Sequence, residues 1–171
     1  MRRIGAASTL LLGTLALQLG AQTFPNKPII IVLPYAPGGT IDIQGRLLGN
    51  GLTQKLGQPV IVRNMPGATG AIATEFVARA AADGYTLLAN SFGPIAINPT
   101  LFSHLPYNAQ RDLQPVALIA EVPTVLVVPS VSGIQSLPEL LKFAKARPND
   151  INYASTGIGT SAHMTGFLFS Q

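Results

Sequence analysis

The chain has 171 residues, enough for one α/β domain and part of another and for a core of its own. It contains no cysteine, which excludes a disulfide framework, a thiolate metal site and a lipid-anchored N-terminal cysteine. The pI is 9.8, but two of the eleven lysines and arginines, Arg2 and Arg3, fall in a leader-like segment, leaving nine against seven acidic residues. That excess, with no tryptophan and scattered aromatics, supplies neither the clustered basic face nor the stacking platform of a nucleic-acid binder.

Residues 1–21 read as a cleavable secretory signal peptide. Arg2 and Arg3 form its charged start, Ile4 to Leu19 its apolar middle, and Ala21 its cleavage site. The apolar run is short and glycine-interrupted for a bilayer span, and the residues after the arginine pair do not support twin-arginine export. The mature chain starts at Gln22 and is expected in the periplasm.

Phe24-Pro25-Asn26-Lys27-Pro28 is an extended lead-in stiffened by two prolines. Ile29 to Leu33 is apolar at every position, which predicts a central strand of a parallel sheet, covered on both faces. Pro34-Tyr35-Ala36-Pro37-Gly38-Gly39-Thr40-Ile41-Asp42 follows, and then a helix over Ile41 to Leu56. Its stripe is Leu48, Leu52 and Leu56, with Ile41 and Leu47 beside them. Thr40 or Asp42 is placed to cap its start, and Gly57 its end. Val60 to Val62 predicts a second strand, Ala71 to Ala82 a second helix stopped by Asp83-Gly84, and Tyr85 to Ala89 a third strand. Strand, helix, strand, helix, strand makes a Rossmann-like unit with its loops on one sheet edge.

Asn90 to Pro99 is a loop or short helical connection, and Leu101 to Leu113 carries no clear pattern. Val116 to Ala120 and Thr124 to Val128 predict two further strands, and residues 129–133 a hinge. Ser136 with Glu139 forms a capping box for a helix running to about Arg147. Ile151 to Ser155 predicts a strand, and a helix begins near Ser161. The organisation expected is therefore a first α/β domain at 22–130 and the start of a second, incomplete one at 131–171.

Two stretches carry the chemistry. A glycine pair between a buried strand and a helix start turns backbone N–H groups outward, where the helix leaves them unpartnered and its dipole adds positive charge. Residues 34–42 fit this description, and so do Ser155-Thr156-Gly157-Ile158-Gly159-Thr160-Ser161-Ala162-His163. They read as two anion cradles facing across a cleft. The alternative at each is a tight turn without a ligand. No Gly-x-Ser-x-Gly elbow, Walker loop or dinucleotide fingerprint is present, and no pair of carboxylates is placed for acid–base work.

An ordered set of motifs resembles a known family. It comprises Phe24 to Ile29, the loop Pro34 to Asp42, Leu56-Gly-Gln-Pro-Val60, Asn64-Met-Pro-Gly-Ala-Thr-Gly70 and Asp83-Gly-Tyr-Thr-Leu-Leu88. Asn98-Pro99, Leu105-Pro-Tyr107 and Asn152 to His163 complete it. The chain resembles the substrate-binding receptors of tripartite tricarboxylate transporters, the Bug receptors, along essentially all of its mature length. The resemblance implies a type II periplasmic-binding-protein-like fold of two α/β domains. It implies capture of a small carboxylated solute, partly through bridging waters, and delivery to membrane permease subunits by a monomeric receptor. Family members are roughly twice as long, which implies a C-terminal truncation here. The first domain would lack its C-terminal return.

The ligand contacts so expected are Tyr35, Pro37, Gly38, Gly39, Thr40 and Asp42 on the first wall, with Ser91 and Gly93 after the third strand. Ser155, Thr156, Gly159, Thr160, Ser161 and His163 form the second. Asp42 reads better as a structural cap, since a carboxylate repels a carboxylate, and His163 divides between ligand donor and structural imidazole. No catalytic residue, cofactor, metal or nucleic-acid partner is expected. The alternatives are a truncated, non-binding remnant of such a receptor and a small α/β anion-binding enzyme.

Overall fold

A computed structural model describes residues 23–148 and 150–171; the signal-peptide reading of residues 1–21 lies outside the described residues. Three parallel strands, β1 (Ile29–Leu33), β2 (Val60–Asn64) and β3 (Thr86–Leu88), form a sheet in the order β2-β1-β3. Ile30 lies opposite Ile61 on one side and Thr86 on the other. β1 is central because it can be: its side chains are apolar at every position, and Ile31, Val32 and Leu33 are at most 1% exposed. β2 alternates exposed and half-buried residues, as an edge strand does.

Helix α1 (Thr40–Leu56) crosses from β1 to β2. Ile41, Leu48 and Leu52 pack on Ile31, Leu33 and Ala89. Two glycines let the helix approach the sheet: a Cβ at Gly45 would lie 2.8 Å from Leu33 Cδ2, and one at Gly49 3.1 Å from Val62 Cγ2. Leu47, expected in the buried stripe, is 67% exposed, because it follows Arg46 on a face turned about 100° from Leu48. Gly57 closes the helix at φ 68°, its N–H donating to Thr53 O, as its position predicts.

Helix α2 (Ala71–Ala78) ends four residues earlier than expected. Residues 79–82 are exposed apart from half-buried Ala80, so a further turn would bury almost nothing. A π-helical turn (Gly93–Ile97) runs into α3 (Asn98–Leu101), and a single turn, α4 (Ala109–Asp112), is capped by Asn108. Here a second small core gathers Ala71, Tyr107 and Ala109. Helix α5 (Leu137–Ala146) begins with the expected box: Glu139 N–H donates to Ser136 Oγ, and the Glu139 carboxylate accepts from the Gln135 N–H. Helix α6 (Ser161–Phe169) has Thr160 as its N-cap.

The strands expected at 116–120, 124–128 and 151–155 do not form. Strand structure needs a neighbour to complete its ladder, and among the described residues no backbone hydrogen bond joins 114–128 to another segment. No helix among the described residues is long and apolar enough to cross a membrane.

Candidate functional site

The loops after β1, β2 and β3 leave the sheet at its C-terminal edge, where open α/β sheets place ligands. The first is short and held from below. Gly38 has φ +90°, and its N–H donates to Asp42 Oδ2 at 2.9 Å. Asp42 also accepts from Arg46 Nε and Nη2 at 3.1 and 2.9 Å and from Asn64 Nδ2 at 3.0 Å. The same Asn64 amide donates to Tyr35 O at 3.0 Å. The Asp42 carboxyl group is therefore drawn down to about 2, first by the Arg46 guanidinium, then by the Gly38 amide and Asn64. It caps by reaching back, and Thr40 makes no cap bond.

With Asp42 turned under the loop, residues 36–40 stand exposed. The first intrahelical bond of α1 is Ile43 N–H to Gly39 O, so the amides of Thr40, Ile41 and Asp42 precede it and have no partner within the helix. A Cβ at Gly39 would have Ala36 O at 3.9 Å as its nearest neighbour, so there is room for a side chain at the helix start.

The other loops meet beside it. Tyr35 Oη and Ser91 Oγ are 2.6 Å apart. A Cβ added at Gly93 would lie 3.0 Å from Gly159 O and 3.8 Å from both Ser91 Oγ and Tyr35 Oη. Tyr35, Ser91, Gly93 and Gly159 are thus brought together, and through Gly159 the second glycine-rich loop rests on the first α/β unit. Gly159 has φ +75°, and a Cβ there would meet Asn98 Oδ1 at 3.2 Å, so glycine is required on both counts.

His163 sits below this loop. Its Nδ1 accepts from the Gly159 N–H at 3.2 Å, which is a structural use of the imidazole. Thr160 Oγ1 accepts from the His163 N–H at 3.4 Å and donates to Gly157 O at 2.7 Å. Ser155 Oγ accepts from the Gly157 N–H at 3.4 Å. Pro37 and Thr156 are exposed on their loops and Ser161 is exposed at the first position of α6, outside the cluster around Gly93.

Four further residues position the site. Arg46 was signalled by its i,i+4 spacing from Asp42. Asn64 had no local signal, because β-sheet register carries it to Asp42. Asn98, fully buried, donates from Nδ2 to Thr69 O and Oγ1 at 3.2 and 3.3 Å. It steadies a loop in which Ala68 and Thr69 both have positive φ. Tyr107, whose hydroxyl burial pushes up, donates to Pro94 O at 2.7 Å and anchors the turn that carries Gly93. Among the described residues no three His, Asp or Glu side chains cluster to hold a metal. The chemistry on offer is hydrogen-bond donation to an anion.

A family model described as the tripartite tricarboxylate transporter family receptor matches residues 45–170. Protein BugT of Bordetella pertussis is 40% identical over 156 residues, which cover 91% of this chain and 48% of that protein. Two solved structures from Rhodopseudomonas palustris are also similar. Rpa4515 with adipate has a TM-score of 0.81 at 32% identity, covering 85% of this chain and 49% of that one. MatC with bound malate has a TM-score of 0.75 at 33% identity, covering 85% and 50%. The chain spans about half the length of the curated relatives it matches.

Proposed function

This chain belongs to the tripartite tricarboxylate transporter receptor family, and on that premise we propose that it serves a periplasmic receptor that captures a small carboxylated solute. The family is made up of solute-binding receptors, so the proposed chemistry is binding without turnover. The observation that carries the reading is the meeting of the two glycine-rich loops at Gly93 and Gly159, beside the Tyr35–Ser91 pair. The ligand carboxylate would take the open amides at the start of α1, directly or through water, and the Tyr35 and Ser91 hydroxyls. Gly93 and Gly159 keep the backbones close; Ser155, Thr156, Thr160 and Ser161 supply the second wall, with 22–130 and 131–171 acting as parts of two domains. Asp42 positions the first loop and does not touch the carboxylate. Adipate and malate, bound by the structural relatives, support a small carboxylate as the ligand class, and permease subunits would receive the solute.

The test is a thermal-shift titration of the chain with adipate, malate and other dicarboxylates and tricarboxylates. A ligand at a hundred times its Kd stabilises the folded state by about 2.7 kcal/mol, so the melting temperature should climb with concentration. Gly39→Val puts a branched side chain at the helix start, where the nearest atom to its Cβ would be Ala36 O at 3.9 Å; it should still melt cooperatively but lose the shift. A cooperative melt that no carboxylate moves sinks the reading, as does a shift that survives Gly39→Val.

A further inference from the structure

The second glycine-rich loop is seated at Gly159. That residue is buried, and a Cβ there would lie 3.2 Å from Asn98 Oδ1, 3.4 Å from Leu101 Cδ2 and 3.5 Å from Ile97 Cγ2. Asn98 Oδ1 is the one buried side-chain nitrogen or oxygen among the described residues that has no hydrogen-bond partner. The loop thus helps to shut off a carbonyl that it does not satisfy, which works against seating. What works for seating is the bond from the Gly159 N–H to His163 Nδ1 at 3.2 Å. A ring nitrogen that accepts carries no proton, so the seated loop needs a neutral imidazole with its proton on Nε2.

We infer that His163 is a positioning residue: its neutral imidazole seats the second glycine-rich loop, and protonation of that imidazole unseats the loop and frees a bound carboxylate. The inference deepens the receptor reading of this loop and rests on it. A proton added at Nδ1 turns the acceptor into a second donor facing the amide, and the bond is lost. The freed loop then lets water reach Asn98 Oδ1. Seating disfavours the proton and the proton disfavours seating, so retention is full above the histidine range, about pH 5–8, and lost as the pH falls through it. The surroundings leave this response to His163. Residues 151–171 contain no Asp, Glu, Lys or Arg. Tyr153, whose hydroxyl donates to His163 O at 3.3 Å, belongs to a residue type that keeps its proton in that range. On the facing side Ile97, Asn98 and Leu101 carry no charge, and Tyr35 stands across Gly93. Glu75 and His104 line the pocket that Ile158 borders; Glu75 pairs with Arg79 at 2.7 Å, and His104 is the histidine to control for.

The loop is followed by NMR in the ligand-free chain from about pH 8 to about pH 5, and adipate and malate affinities are measured over the same range. The Gly159 amide resonance should move with the midpoint of the His163 ring, and the Overhauser contact between Gly159 and the Leu101 methyls should fade with it. His163→Asn keeps an acceptor near the Nδ1 place and takes up no proton, so its amide should stay still. The ligand's own carboxyl groups titrate alike in both proteins, so the readout is the parent's affinity divided by that of His163→Asn. Set to one at pH 8, this ratio should fall by about tenfold at pH 5, within the limit of about tenfold per pH unit that one proton sets. His104→Gln should keep the parent's response. A Gly159 amide indifferent to His163, or a response lost in His104→Gln, overturns the inference. So does a ratio that rises on acidification, which would make the imidazolium a ligand donor. An amide that follows His163 in a chain binding neither ligand at any pH leaves the loop device standing and counts against the receptor reading; tight binding with a still amide does the reverse.

Discussion

Ile29-Ile-Ile-Val-Leu33 and Thr124-Val-Leu-Val-Val128 are near-equivalents in composition and opposites in structure. The first lies at the centre of a sheet with four of its five side chains buried. The second forms no strand, makes no backbone hydrogen bond to another segment and is largely in water. What separates them is neighbours: β1 has β2, β3 and α1 against it, and 124–128 has no such company. An apolar run states that it needs cover; the cover itself comes from elsewhere in the fold. By area alone, removing such side chains from water is worth roughly 1.5–3 kcal/mol each, a gain taken at β1 and open at 124–128.

Matched truncations test this contrast most strongly. Leu33→Ala should lower unfolding stability by about 2–5 kcal/mol through lost burial and the cavity left behind. Val127→Ala should change it by less than about 0.5 kcal/mol. Urea melts of the two variants check this, and equal losses would show that 124–128 is already covered in solution. A smaller effect is expected at the support of the site. Asn98→Ala removes both bonds to Thr69 and should cost about 1–3 kcal/mol; a loss below about 0.5 kcal/mol would mean that the 67–70 loop holds its positive-φ conformation unaided.

The mildest expected effect is acidic. Asp42 titrates near 2 in the folded chain and near 4 when unfolded. Its contribution is therefore fully present above about pH 4 and lost as the pH falls through 2. Asp83, lowered by the Tyr85 amide and Lys27, and Asp112, lowered by Arg111 and the Asn108 amide, act in the same direction. Asp42→Asn should flatten the fall in melting temperature between pH 4 and pH 2 while Asp83 and Asp112 keep theirs. An unaltered profile would remove Asp42 from the account.

The elements legible in the sequence are those whose causes are local. The β1 run, the α1 stripe, Gly57 and the Ser136–Glu139 box each state their structure within a few residues, and each forms. The loop chemistry was legible in the same way, because glycines after a strand and before a helix announce open amides. The supports beneath were not. Asn64 reaches Asp42 because register sets it opposite Leu33, and Asn98 reaches Thr69 across the site; no spacing along the chain encodes either. Leu47 was misplaced because the inward face of α1 is built partly from Gly45 and Gly49, residues with no hydrophobic side chain to mark it. The strands at 116–128 and 151–155 failed for the opposite reason: their local signal is strong, and no partner strand completes it.

The strand order has a consequence for the sequence of events as the chain is made. β1 is the first strand to be synthesised and the central one when finished. Ile30 finds Ile61 only after α1 has been traversed, and Thr86 only after α2 as well. A chain stopped anywhere before Thr86 leaves β1 with one neighbour at most. Pairings this far apart in sequence are the slow kind, so the most apolar strand of the sheet is also the one that waits longest for its second partner.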